Sequence, residues 1–450
     1  MSQDFTMRRV RTAFAAQGAS RLARLAEQLL LVPLLLAGWG TQTFGEWIAL
    51  NSLGALAAVA SLGIGHAVSA DIVMRHAEGD HAAASESFVT GLALLAVSTL
   101  AGVALTGLGV WLFGTGVAAG NIIPPRDAPL ILLMAAGAML ISFWIEPMVG
   151  VLSASVGAAL PNIVSAAVKV VEIAAVALAL ALGASPLLIA AILLLSAVLN
   201  LAVDAVLVLR LAPWLSIRAG VGRAPVLRSW RAALGIWFAF LSFNLVALHA
   251  PRLIIAHAFG PAAVTVFTVL TTYTRTARSL AAMIGQSVQA EIGRAAASGQ
   301  RALLAHLVAS ALGSSAGFAA LLLIGAMAVA PVVVPIWTHG QVPLDWQLLG
   351  VLAIVALAGS VFDTVLNATL PLHRVMPAAL AYCAGLAVGL VAGTALLGTL
   401  GLPALAGGLL LAEIAGSAAG LRTLWVHAGL RLRNLSFQPW HFLIARSGER

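Results

Sequence analysis

The chain has 450 residues, of which 61% are hydrophobic and only 9% charged, against about 25% charged in a soluble domain. That balance excludes a soluble protein and leaves a polytopic membrane protein. The net charge of +8 does not point to nucleic acid, because the basic residues fall between apolar runs, where they act as topology signals.

A bilayer core takes about twenty apolar residues, and with that ruler the chain divides into about twelve spans. They centre near 20–38, 46–66, 88–112, 129–152, 162–183, 186–209, 232–256, 262–285, 303–331, 347–369, 377–400 and 403–426. The first eleven residues are basic and no small-residue cleavage site follows, so the first span is expected to stay in the mature protein. The longest polar connections lie at 67–87, 210–231 and 286–301. If the N-terminus is cytoplasmic, the inner side collects Arg8, Arg9, Arg11, Arg75, the arginines from Arg210 to Arg231, Arg294, Arg301, Arg374 and those from Arg431 to Arg450. The outer loops then hold only Arg126, beside Asp127. This asymmetry predicts that both termini are cytoplasmic.

The basic connection splits the spans into equal halves, which enter from the same side as parallel repeats. Residues 1–215 form the N-terminal six-helix lobe, 216–231 the cytoplasmic connection, 232–430 the C-terminal lobe and 431–450 a basic amphipathic tail with Trp440 and Phe442. Trp39-Gly40 is followed seven residues after the glycine by Trp47, and Phe259-Gly260 by Phe267 at the same offset. Each pair marks the first outer hairpin of its half. Most of the 43 glycines, Gly63 and Gly65 among them, read as helix-packing positions.

No P-loop, HExxH, G-x-S-x-G or Cys/His metal spacing occurs, and Cys383 is the single cysteine. The chain therefore reads as a non-enzyme with no cofactor. Charges within spans are functional candidates by default. Arg21, Arg24 and Gln28 share a face of the first span, with Glu27 beside them; Thr271, Arg275 and Arg278 share a face of the eighth. Arg275 lies about 20 Å from the outer end at about 1.5 Å per residue. Arg252 follows Pro251 in the seventh span, Lys169 and Glu172 sit three apart in the fifth, and Glu146, Asp363 and Glu413 are further intramembrane acids. Lys169 and Glu172 read first as partners of each other, and Arg24 and Glu27 could pair likewise. Arg21 and Arg278 could equally snorkel to the inner headgroups. Arg275 and Arg252 have no acid a turn away, so their partner must come from another helix, water or an anionic ligand. Arg suits phosphate geometry, which makes Arg24, Arg252, Arg275 and Arg278 the candidates for an anionic headgroup. Coupling to H+ or Na+ could run through Glu27, Glu146, Asp363 or Glu413, and nothing in the sequence chooses among them.

The hairpin from Leu34 to Trp47, then Ser61-Leu-Gly-Ile-Gly65, resembles the start of bacterial polysaccharide-type flippases, the O-antigen and exopolysaccharide members of the multidrug/oligosaccharidyl-lipid/polysaccharide exporter superfamily. The stretch from Pro251 to Phe267 resembles the start of their second half, with Pro251-Arg252 where that family usually has an Asp. The resemblance implies twelve helices in two lobes around a central cavity. It also implies transport of an undecaprenyl-diphosphate-linked oligosaccharide from the cytoplasmic to the periplasmic leaflet by alternating access, in polysaccharide biosynthesis. The implied partners are the polyprenyl-diphosphate-linked glycan, the lipid bilayer, and a polymerase and glycosyltransferases of the same route. A multidrug exporter of the superfamily is disfavoured because its cationic substrates want an acid-dominated cavity. Lipid II flippases are a nearer rival but usually carry two further C-terminal spans. A membrane glycan polymerase would need a large outer loop, whereas those around 113–128 and 332–345 are short.

Overall fold

The structure, a computed structural model, describes residues 3–61, 63–113, 122–223, 225, 246–372 and 374–428; side chains before Ala26 lie outside it. Among the described residues every regular element is a helix, and nine helices are long and apolar enough to cross a bilayer. The chain is an all-α polytopic membrane protein whose helices fit about twelve transmembrane segments. Its backbone falls into two compact units, Met1–Thr265 and Val266–Arg450. The connection expected at 216–231 falls partly on residues outside the description, as does most of the expected span at 232–256, and all of the tail at 431–450 lies outside it.

In the first unit, α1 (Gln3–Ala55) is interrupted at Gly40, whose φ of 77° and ψ of 175° are not helical. Helix α7 (Ala247–Phe259) ends at Gly260 with φ 80° and ψ 179°, before α8 (Pro261–Ser287) begins. The two aromatic-glycine pairs thus break their helices with the same backbone conformation, which glycine adopts without steric cost. Just beyond the breaks the chain packs tightly. A Cβ at Gly45 would lie 1.8 Å from the Pro261 carbonyl oxygen, and Thr265 Oγ1 donates to the Thr41 carbonyl at 2.5 Å. Trp39 Nε1 donates to the Ala184 carbonyl at 2.9 Å. Glu46, fully buried, accepts from the backbone N–H groups of Ile122 and Ile123 at 2.9 and 3.1 Å.

The expected second span does not end near residue 66. A 3₁₀ segment, Leu56–Ser61, and a left-handed Gly63 (φ 68°) break it, and α2 (Ile64–Ala77) carries the helix through most of the expected polar connection. The break exposes carbonyls that an unbroken helix would satisfy, and Ser98 of α3 (His81–Phe113) donates its hydroxyl to that of Ala60 at 2.6 Å. Gly63 therefore marks a break in the helix rather than a packing position. Gly65 is a packing position, since a Cβ there would lie 2.8 Å from the Phe143 carbonyl oxygen. Helices α4 (Ala128–Val156), α5 (Ala159–Ala181) and α6 (Pro186–Leu211) follow the expected spans within a few residues. Val151 and Leu152 of α4 and Val208 of α6 share a core with Val68 and Ile72 of α2 and Phe88 of α3.

In the second unit, the connection expected at 286–301 contains a short amphipathic helix, α9 (Gln289–Ala297). Its Ile292 and Ala295 pack beneath α10 (Arg301–Trp337) and α11 (Trp346–Thr369). Helix α12 (Met376–Ala395) stops short of its expected end, and a separate turn at Leu397–Leu400 completes the segment before α13 (Leu402–Ala428). Gly385, Gly389 and Gly393 form a four-residue repeat along α12. A Cβ at Gly389 would lie 2.0 Å from the Gly408 carbonyl oxygen, and the other two would meet the Leu411 and Ala404 carbonyl oxygens at 2.8 and 2.9 Å. Small residues at this spacing let helix backbones approach closely.

Candidate functional site

The charged groups of the second unit converge on Arg278. Nε and Nη2 donate to Asp363 Oδ2 and Oδ1, each at 2.8 Å, and Nη1 donates to Glu413 Oε1 at 2.5 Å. The fork on Asp363 is the bidentate geometry in which a guanidinium binds a carboxylate best. Helices α8, α11 and α13 each supply one member. Gly359, one turn before Asp363, makes the space, because a Cβ there would lie 2.1 Å from Arg278 Nη1. Tyr382 of α12 closes the cluster with its hydroxyl 3.4 Å from Glu413 Oε1 and its ring 4.8 Å from that of Phe362. The sequence alternative in which Arg278 snorkels to the headgroups is corrected: two carboxylates from other helices hold its side chain at 17% exposure.

Arg275 sits one turn earlier on α8 and behaves differently. Among the described residues it makes no hydrogen bond or ion pair. The buried hydroxyls of Thr271 and Thr268, one and two turns before it, also have no partner. Two guanidinium groups and two carboxylates balance in charge, yet the ion pairs of both carboxylates go to Arg278, and Glu413 Oε2 has no hydrogen-bond partner among the described residues. The other cation is left available.

The first unit holds a second cluster. Lys169 Nζ donates to Glu172 at 2.9 and 3.1 Å and to Glu27 Oε1 of α1 at 3.1 Å. The expected Lys169–Glu172 pair is present, and Glu27 joins it. Whether Arg24 also reaches Glu27 lies outside the described residues, as do the side chains of Arg21 and Arg24. Glu146 Oε1 lies 3.6 Å from His66 Nε2. Arg252 is half-buried on α7 after Pro251. A cavity of about 300 Å³ opens among α1, α4, α6 and α7, with Asn51, Ser142 and His249 as its polar lining and Met134, Met139 and Leu193 among its apolar residues. Among the described residues no group of three or more His, Cys, Asp or Glu side chains could hold a metal ion.

Sequence reasoning passed over several groups. Asp204, in the middle of an apolar run on α6, is fully buried, and among the described residues neither carboxylate oxygen has a hydrogen-bond partner. The available signal was an acid four residues after Asn200. Tyr382 gave no signal, since a lone tyrosine in a span reads as packing. Ser87 Oγ donates to the buried Asp71 at 2.5 Å, and the His76 ring lies 4.8 and 4.6 Å from those of His81 and Trp214. Burial first, and the neighbouring His81 second, hold the His76 imidazole below its usual 6.5.

No family model and no curated protein matches the chain. Solved structures do. A lipid II flippase MurJ in an inward closed conformation superposes with a TM-score of 0.68 over 94% of this chain and 88% of its own, at 12% identity. A MATE transporter in complex with MaD3S gives 0.67 over 93% and 96%, at 16% identity. An inward-facing multidrug resistance MATE family transporter of the MOP superfamily gives 0.61 over 91% and 94%, at 17% identity. The fold is that of MurJ and the MATE transporters. At such identities the likeness to MurJ and MATE speaks for the course of the backbone and not for the roles of individual side chains.

Proposed function

We propose that the chain is a MOP-superfamily carrier, a flippase rather than an enzyme. It moves an undecaprenyl-diphosphate-linked oligosaccharide from the cytoplasmic to the periplasmic leaflet of a bacterial inner membrane for O-antigen, capsule or exopolysaccharide assembly. Both termini lie in the cytoplasm, and the step proceeds by alternating access. The observation that carries this reading is Arg275: a guanidinium inside a membrane helix that makes no hydrogen bond or ion pair among the described residues, beside threonine hydroxyls that have no hydrogen-bond partner there either. Such a group is expensive to keep unless an anion uses it. A diphosphate headgroup supplies that anion, and the polyprenyl tail stays in lipid. Arg24 and Arg252 are further headgroup candidates. Arg278 contributes less, because Asp363 and Glu413 already neutralise it.

Export of organic cations is the weaker reading, since an arginine occupies the two acids of the second unit that would otherwise attract a cation. The likeness to MurJ keeps lipid II itself as a second substrate reading. Of the acids proposed for H+ or Na+ coupling, Glu27, Asp363 and Glu413 are engaged by cationic side chains and Glu146 faces His66.

The test is transport of a polyprenyl-diphosphate-linked glycan by the purified protein in liposomes. Arg275→Ala should abolish it while the protein still inserts and melts as a folded species, and Arg275→Lys should retain part. Undiminished transport by Arg275→Ala would remove the site. Transport of lipid II in place of glycan-linked carriers would change the substrate but keep the chemistry.

A further inference from the structure

Helix α6 carries Ser196, Asn200, Asp204 and Val208 at four-residue intervals, which puts them on one face. That face is buried: Ser196, Asp204 and Val208 are 8%, 0% and 3% exposed. Val208 packs with Met148, Val151 and Leu152 of α4. Asp204 stands out there. Among the described residues neither of its oxygens has a hydrogen-bond partner, and Asn200 Oδ1, one turn earlier, has none either.

An ionised carboxylate in such surroundings would cost roughly several kcal/mol, and the usual relief is a cation. Among the described residues none is offered. The charged groups on the helices packed against α6 are Glu146 of α4, which faces His66, and Lys169 and Glu172 of α5, held together with Glu27. At the Val208 end α2 brings Asp71 and Arg75, paired with each other, and His76, whose ring lies against Trp214, and α3 brings Glu86. Arg210 sits in the last turn of α6 itself. A hard metal cation asks for about six oxygen ligands, whereas this face presents three unpartnered side-chain oxygens. The Asn200 amide could turn its Nδ2–H to one of them, but that supplies no countercharge, whereas a proton removes the charge itself. Bound to Asp204, it turns one acceptor into an O–H donor, and Asn200 Oδ1 on the same face is positioned to accept from it.

We propose that Asp204, with Asn200 as its acceptor, is a proton-binding site, loaded while α6 is packed on α4 and emptied when that face meets water. Resting on the carrier reading above, it is the site that ties proton movement to the transport cycle, separate from the ion-paired acids of either unit.

Infrared difference spectroscopy of the full chain in lipid tests the site directly. Wild type minus Asp204→Asn should contain the carbonyl stretch of a protonated carboxyl. Asn200→Leu should keep that band but shift it towards the frequency of a carboxyl without a hydrogen bond. A wild-type spectrum identical to that of Asp204→Asn would overturn the proposal. Thermal melting in detergent guards against a folding artefact. The folded state holds a proton that the unfolded chain releases, so wild type should lose stability relative to Asp204→Asn as pH rises from about 5 to about 9. Parallel curves would overturn the proposal equally. Neither readout involves glycan, so a mistaken choice of carried lipid would leave this result standing, and the reverse.

Discussion

Arg275 and Arg278 lie one turn apart on the same helix and differ in what surrounds them. Arg278 is the hub of a three-helix ion cluster, so its loss should be felt first as instability. Removing one side of a buried charge pair costs about 3–5 kcal/mol because the other side stays buried and uncompensated. Arg278→Met is therefore expected to lower the melting temperature in detergent sharply. Adding Asp363→Asn and Glu413→Gln to it should recover most of the loss. Equal melting of the single and triple variants would mean that the cluster is solvated and contributes little. The sequence left the environment of Arg278 open for a definite reason. Its partners lie 85 and 135 residues away, and periodicity sees only neighbours on the same helix. The same rule found Lys169 with Glu172, three residues apart, and missed Glu27, 142 residues off.

At the scale of elements, hydropathy located the helices because a bilayer imposes a length, and α5, α6 and α11, with 23, 26 and 24 residues, stay near it, while α10 runs on to 37. It said little about breaks, which depend on backbone conformation. Gly40 and Gly260 were legible as a repeated aromatic-glycine pattern, and both adopt a positive φ with an extended ψ. The 3₁₀ break at Leu56–Ser61 and the short helix Gln289–Ala297 were not legible. The first is apolar like its surroundings, and the second is polar enough to read as a loop. Glycine roles divide in the same way. Gly389 of α12 meets the Gly408 backbone, while a Cβ on Gly407, one residue before it, would touch nothing within 4 Å. Gly389→Ala should force the crossing apart and cost about 1–3 kcal/mol, as overpacking does. Gly407→Ala should be neutral or stabilising by up to about 1 kcal/mol, since alanine favours the helix. Melting of both variants in one detergent decides it, and a Gly389→Ala melting temperature no lower than that of Gly407→Ala would mean that the crossing has room for the added methyl.

At the scale of the molecule, the distribution of arginine makes a claim about direction that helix geometry allows to be tested within the second unit alone. Helix α10 has 37 residues, or about 55 Å at about 1.5 Å per residue, well beyond the roughly 30 Å of a bilayer core. Its two ends must emerge on opposite sides. Before it, the turn at Ser298, Gly299 and Gln300 lies between Arg294 and Arg301; after it, the segment from Thr338 to Asp345 carries no arginine or lysine. The positive-inside bias places the first turn in the cytoplasm and the second outside. Gln300 and Pro343 are both exposed, and Cys383 is the single native cysteine. With Cys383→Ala as background, Pro343→Cys should react with a membrane-impermeant maleimide in intact spheroplasts, and Gln300→Cys should react only after permeabilisation. The opposite pattern would invert the orientation. It would also turn the proposed transport direction around, because a headgroup loaded at the cytoplasmic face needs that face to be the one rich in arginine.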